Sequence, residues 1–308
     1  MLKILLCVSF FSIFLYSEPI SPIPTRVEIN HQKALLGSKL FFDTRLSKDG
    51  TVSCATCHNL ELGGVDRLPF SVGINGGVGN INAPTVFNSV FNLAQFWDGR
   101  AKDLKEQAGG PIENPLEMGN SFENLINTLN KTEYKDQFLA IYKEGITRDS
   151  ITDALSEFQK SLITPNSSFD RYLRGDKNAL SKEQQEGYEL FKTHGCIACH
   201  HGVNVGGNLY AKFGVVQALD SDALGRFNVT KEERDRYYFK VPTLRNIELT
   251  PPYLHDGSIN SLSESVKFMS HYQLGKTLSE EEIERIVDFL KSLTGDVKYY
   301  ETPMFKQQ

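Results

Sequence analysis

The residues with the most definite chemistry are Cys54-Ala-Thr-Cys57-His58 and Cys196-Ile-Ala-Cys199-His200. In each motif one turn of backbone lets two thiols reach the two vinyl groups of a porphyrin, and the following His rotates under the plane to ligate iron. Cys-x-x-Cys pairs also bind zinc or act as redox disulfides. A zinc ribbon sets its pairs about 15–20 residues apart, far closer than these two lie, and a thioredoxin-like site would accompany a βαβ pattern that is not found here. The motifs therefore predict two covalent c-type haems, with His58 and His200 as proximal ligands.

The surroundings of the two motifs repeat. Gly37-Ser-Lys-Leu40-Phe41 precedes the first and Gly187-Tyr-Glu-Leu190-Phe191 the second. Downstream, Pro84, Thr85, Asn88, Asp98, Gly99, Leu104 and Glu106 recur 158 positions later as Pro242, Thr243, Asn246, Asp256, Gly257, Leu262 and Glu264. A fixed register beside two haem motifs reads as duplicated cytochrome c modules.

The modules differ where a second axial ligand would sit, which decides whether an iron is closed for electron transfer or open to a small substrate. Met269 lies at a cytochrome-like distance after the second motif, and His/Met ligation raises the potential, as suits a haem that receives electrons. His255 and His271 compete for that position. Under the 158-residue offset Pro111 aligns with Met269 and cannot ligate iron. No His occurs between positions 59 and 193, and Met118 is the one local sulfur. The simpler reading is an open first iron flanked by Pro111-Ile-Glu113-Asn-Pro115-Leu-Glu117-Met118. A carboxylate there, Glu113 or Glu117, could move a proton between the two oxygens of bound peroxide, which is general acid–base work.

The elements that must position these groups are mainly α-helical. Leu35, Leu36, Leu40 and Phe41 fit one helical face, as do Ile151, Ala154, Leu155, Phe158 and Leu162. Ser181-x-x-Gln184 and Ser279-x-x-Glu282 are capping boxes. The second opens a helix with Ile283, Ile286, Val287 and Leu290 on its inner face and a stop near Gly295. No run of alternating strand residues appears. Glycines 63, 64, 73, 76, 77 and 79 predict an irregular loop with little intrinsic rigidity after the first haem motif. The break at Thr164-Pro165-Asn166 separates the modules. The fold expected is two cytochrome c-like helical domains in tandem, residues 18–165 and 166–308, each with one haem.

Residues 1–17 read as a secretory signal peptide, with Met1-Leu2-Lys3, an apolar run from Ile4 to Tyr16, and Ser17 before Glu18. An uncleaved membrane anchor is the competing reading. Cys7 would leave with the signal, the other four cysteines are consumed by haem, and export of such a protein fits a bacterial periplasm. The formal net charge of −5 points away from nucleic acid.

Taken together, the motifs resemble those of the bacterial dihaem cytochrome c peroxidases over nearly the whole mature chain. The resemblance runs from Leu35-Leu-Gly-Ser-Lys-Leu-Phe-Phe-Asp43 through Asn82-Ala-Pro-Thr85, Gln95-Phe-Trp-Asp-Gly-Arg100, Glu106-Gln-Ala-Gly-Gly-Pro111 and Leu116-Glu-Met118. It continues through Leu162-Ile-Thr-Pro-Asn-Ser167 and Pro242-Thr-Leu-Arg-Asn246 to Val266-Lys-Phe-Met269. It implies reduction of hydrogen peroxide to water at the first haem, with electrons from a small soluble donor such as a monohaem cytochrome c entering at the haem of His200 and Met269. It further implies Glu117 as the acid–base carboxylate, Gln107 beside it, Trp97 between the haems, a calcium ion held by Asn82 and the carbonyls of Thr250 and Pro252, and a homodimer. Many members close the first haem with a His on the glycine-rich loop, and here the aligned residue is Ile74. An open first haem in the fully oxidised enzyme is the expectation, with Met118 or water as the alternative sixth ligand. Competing functions are a dihaem electron shuttle, with both irons six-coordinate, and a protein-modifying dihaem oxidase, in which Tyr stands where Met269 is found.

Overall fold

The computed structural model describes residues 18–219 and 222–301; the expected signal segment, 1–17, lies outside the described residues. Eleven α-helices among the described residues carry the architecture: α1 (His31–Phe41), α2 (Cys54–Cys57), α3 (Leu104–Glu113), α4 (Phe122–Leu129), α5 (Tyr134–Ile141), α6 (Arg148–Ser161), α7 (Ser168–Leu173), α8 (Lys182–His194), α9 (Phe227–Thr230), α10 (Leu262–Tyr272) and α11 (Glu280–Lys291). Most start where a short polar side chain takes an otherwise orphaned N–H. Asn30 Oδ1 accepts from Lys33 at 3.1 Å and Asp103 Oδ1 from Glu106 at 2.8 Å, and both expected capping boxes, at Ser181 and Ser279, form.

Two helix crossings repeat. α1 packs on α6 and α8 on α11, each where a glycine removes the side chain that would hold the helices apart. A Cβ on Gly37 would lie 1.9 Å from the Ala154 carbonyl oxygen, and one on Gly187 would lie 1.8 Å from that of Arg285. Phe158 and Phe289 pack beside these glycines in the same way. Further on, Gln95 pairs with Ala101 and Tyr253 with Ile259 in isolated antiparallel bridges, again 158 positions apart.

The first core gathers Leu40, Phe41, Ile112, Leu125, Phe138, Leu155 and Phe158, and the second Phe169, Tyr188, Phe191, Ile286, Phe289 and Leu290. Packing crosses the division expected at residue 165 in both directions. Ile20 belongs to the second core, while Val297 and Tyr300 lie against the first. The N-terminal segment is held by the buried pair Arg245–Asp170 at 2.7 Å: Asp170 also accepts the Ile23 N–H at 3.0 Å, and Arg245 donates to the Ser21 carbonyl at 3.0 Å.

Four local readings change in the structure. Leu35 is 37 % exposed while Leu36, Leu40 and Phe41 are buried, so the inner stripe of α1 is narrower than four adjacent apolar residues suggest. α11 ends at Lys291 with Ser292 as its cap. Gly295 serves close packing instead, since a Cβ there would meet the Thr164 carbonyl oxygen at 1.9 Å. A two-stranded antiparallel ribbon, β1 (Tyr210–Lys212) with β2 (Tyr238–Lys240), escapes sequence reading because three residues are too few to show alternation. The glycine-rich loop is pinned: Gly73 N–H donates to Gly77 at 2.7 Å, Gly79 N–H to Ser71 at 3.0 Å, and Ile74 N–H to the Glu117 carbonyl at 2.9 Å. Gly73 allows this docking, since a Cβ would fall 2.0 Å from the Leu116 carbonyl oxygen.

Candidate functional site

Both Cys-x-x-Cys-His motifs coil as one turn. His58 N–H donates to the Cys54 carbonyl at 2.9 Å and His200 N–H to the Cys196 carbonyl at 3.0 Å, which brings each imidazole back beneath its two thiols. None of the four motif cysteines is in a disulfide, and burial pushes Cys54 up to about 12 and Cys57 and Cys196 to about 11. Among the described residues no group of three or more His, Cys, Asp or Glu side chains is placed to hold a metal ion. Burial also keeps both histidines neutral, as iron ligation requires. It lowers His58 despite the nearby carbonyls of Gly64 and Pro84, and takes His200 down to about 4. His58 Nδ1 faces the Gly64 carbonyl at 3.3 Å, leaving Nε2 for iron. His200 Nδ1 is buried without a hydrogen bond; the Val205 and Pro242 carbonyls favour its proton but stand outside bonding geometry.

Each motif opens on a cavity. The first, of about 50 Å³, is lined by Cys54, Cys57 and His58 together with Gln107, Pro111, Glu117 and Met118. Gln107 and Pro111 lie on α3, and Glu117 and Met118 on the turn after it. That turn is tightly closed: Glu117 N–H donates to the Asn114 carbonyl at 3.0 Å, Gly119 N–H to the same carbonyl at 2.8 Å, and Met118 N–H to the Pro111 carbonyl at 3.2 Å. Asn114 Nδ2 donates to Glu117 Oε1 at 2.6 Å and leaves Oε2 unclaimed by that contact. Burial raises the Glu117 carboxyl, against the opposing pull of Asn114 and Arg100. Glu113, the other carboxylate considered, is exposed and paired with Arg148 at 2.9 Å, so it lies outside the cavity. Met118 is 2 % exposed and belongs to the first core.

The second cavity, of about 240 Å³, is lined by Cys196, Cys199, His200 and Met269, the last on α10. Of the competing ligands, His255 is also in this wall, buried against Phe239 with ring centroids 4.6 Å apart, whereas His271 is exposed and does not line it. In both modules, paired half-buried thiols, a neutral His and a cavity lined by all three suit a covalent haem.

The cavity wall also contains Trp97, Asn82, Thr250 and Pro252. Trp97 Nε1 donates to the Asn82 carbonyl at 2.9 Å, and its ring meets His255 edge-on at 6.2 Å. Asn82 Nδ2 donates to the Leu68 and Pro69 carbonyls at 2.9 and 3.4 Å, which fixes the amide. An amide oxygen and two carbonyls are hard oxygen donors of the kind calcium takes. Sequence reasoning missed Lys240, a buried cation in the same wall, and missed that Trp97 and His255, 158 positions apart, are equivalent residues in contact with each other.

Comparison with known proteins agrees with this geometry. Residues 31–178 match the family model for di-haem cytochrome c peroxidase, and residues 184–294 that for cytochrome c. The chain is 50% identical to the cytochrome c peroxidase Ccp of Escherichia coli over 289 residues, covering 91% of this chain and 62% of that protein, so it spans a little under two thirds of that relative. It is 49% identical to the cytochrome c551 peroxidase of Nitrosomonas europaea over 292 residues, covering 94% and 87% of the two chains. Among solved structures, a MauG-like protein associated with microbial copper homeostasis superimposes with a TM-score of 0.81 at 26% identity, covering 97% of this chain and 99% of that one.

Proposed function

From its membership of the bacterial dihaem cytochrome c peroxidases, which the matched family models and relatives establish, we propose that this chain reduces hydrogen peroxide to two waters with two electrons and two protons. The electrons come singly from a small cytochrome c or similar donor in the periplasm. They enter on the His200 and Met269 side and pass to the His58 side. Covalently bound, each haem supplies one-electron redox chemistry.

The observation that carries this reading is Glu117, a half-buried carboxylate whose pKa burial raises, lining the same cavity as His58, where Pro111 replaces a ligand. Its Oε2 takes the proton from one peroxide oxygen and returns it to the other as the O–O bond breaks, while Asn114 holds Oε1. Gln107, which lines the same cavity, is assigned to orient the peroxide. Trp97 is the residue we assign to electron transfer between the modules, supported by its hydrogen bond to Asn82 and its ring contact with His255. Calcium on Asn82, Thr250 and Pro252 would stiffen this junction. Chelation should then lower turnover and calcium restore it; full activity in chelator would remove the ion from the reading. The homodimer implied by resemblance is checked by light scattering of the holoprotein.

Ile74, buried beside Glu117 on the docked loop, offers the first iron no ligand. The test is electron paramagnetic resonance of the fully oxidised holoprotein with a peroxide assay begun without pre-reduction. One high-spin ferric haem and immediate turnover are expected. Two low-spin haems and no turnover would mean that Met118 or another group closes the site; no turnover even after reduction would favour an electron shuttle.

A further inference from the structure

Strand β2 places Lys240 in the wall of the larger cavity, and the residue is only 6 % exposed. Among the described residues that line this cavity there is no Asp, Glu or Arg, and Lys240 forms no ion pair with any described residue. Burial alone, with no neighbouring charge, pushes its pKa down to about 8. An ammonium removed from water is tolerated when a counter-charge meets it, and protein interiors otherwise replace it by an apolar residue.

The position is built into the duplicated frame. Lys240 stands 158 positions after Asn82, and the two are bound crosswise to the other equivalent pair. Asn82 N–H donates to the His255 carbonyl at 2.8 Å, and Lys240 N–H donates to the Trp97 carbonyl at 2.8 Å. The backbone at Lys240 is thus held rigidly beside Trp97, on the edge of the cavity that contains His200 and Met269. A covalent haem brings two carboxylates, its propionates, into that otherwise uncharged wall. We propose that Lys240 is the counter-ion of a propionate of the haem attached at Cys196 and Cys199, seating that haem's edge next to Trp97. The proposal rests on haem attachment in the second module, not on the peroxidase reaction itself.

The test compares the holoenzyme with Lys240→Met, which keeps the apolar stem and drops the charge, and Lys240→Arg, which keeps it. Redox titration and thermal melting are followed with haem content and the Met269-ligated spectrum monitored throughout. Lys240→Met is expected to lower the potential of the Met269-side haem, because a cation beside a haem favours its reduced form, and to melt below wild type, because a propionate is left buried and unpaired. Lys240→Arg should stay near wild type in both. The proposal is overturned by an unchanged potential, by a shift confined to the other haem, or by a Lys240→Met protein that melts higher than wild type, as loss of an unpaired cation would produce. If Lys240→Met fails to accumulate with haem, Lys240→Gln is read against Lys240→Arg by the same criteria. These readouts are independent of peroxide turnover, so a wild-type protein without peroxidase activity would sink the functional reading and leave this one standing.

Discussion

The two modules share a backbone frame and differ at the side chains that face haem. Gly37 and Gly187 permit equivalent helix crossings, and Asn88 and Asn246 hold equivalent left-handed turns at φ 60° and 61°. Against that frame, Pro111 stands opposite Met269, Asn82 opposite Lys240 and Trp97 opposite His255. In the first module the result is a small cavity walled by a carboxylate and an amide. In the second it is a wide apolar cavity with a sulfur ligand candidate and one cation. Helix packing tolerates little change, because each crossing depends on a backbone contact that any added methyl would break. Residues that face a cofactor rather than a helix are free to diverge, so one architecture can serve both substrate chemistry and electron transfer.

The sharpest way to break this comparison is to remove its acid–base half. Glu117→Gln is expected to lower peroxide turnover by about 10²–10⁴-fold while both haem spectra stay intact; near-normal turnover would take Glu117 out of the mechanism. Making the first module resemble a closed one tests the other half. Ile74→His should convert the first haem to a six-coordinate low-spin state and make turnover depend on prior reduction, read by paramagnetic resonance and the onset of the assay. An unaltered high-spin signal would mean that the loop docked on Glu117 cannot deliver a ligand.

The shared frame is tested by Gly37→Ala and Gly187→Ala. Each should destabilise the holoprotein by about 1–3 kcal/mol through overpacking, and to a similar degree, in thermal melts. A large cost at one site alone would show that the crossings are not equivalent. The smallest effect concerns pH. Burial raises the Glu117 carboxyl above its usual 4.5, and the proton-accepting form is the ionised one. Activity is therefore present above the raised value and lost as pH falls through it. The acid limb of kcat/KM should lie above pH 4.5 and vanish in the residual activity of Glu117→Gln.

The haem attachment sites, the duplication and the helix starts are legible in sequence because each depends on residues within a turn of one another or at one constant offset. Thiol spacing in Cys54–Cys57 and Cys196–Cys199, the boxes at Ser181 and Ser279, and the absence of a ligand at Pro111 all belong to this class. The site around them is less legible. Glu113 and Glu117 are four residues apart and alike in type, yet one is exposed on Arg148 and the other lines the cavity, because α3 ends between them and the chain turns inward. The glycine-rich loop looks pliant in composition and is rigid in place, since its order comes from the Glu117 backbone far along the chain. Ile20 crosses to the second core for the sake of Asp170 and Arg245, and Lys240 meets Trp97 from 143 positions further along the chain. The sequence by itself determined which atoms can bond covalently to haem and that the plan occurs twice, since covalent geometry is local. Which carboxylate lines the first cavity, and which indole and buried ammonium share the second, was decided by tertiary structure alone, because burial depends on segments distant in sequence that meet only when the chain folds.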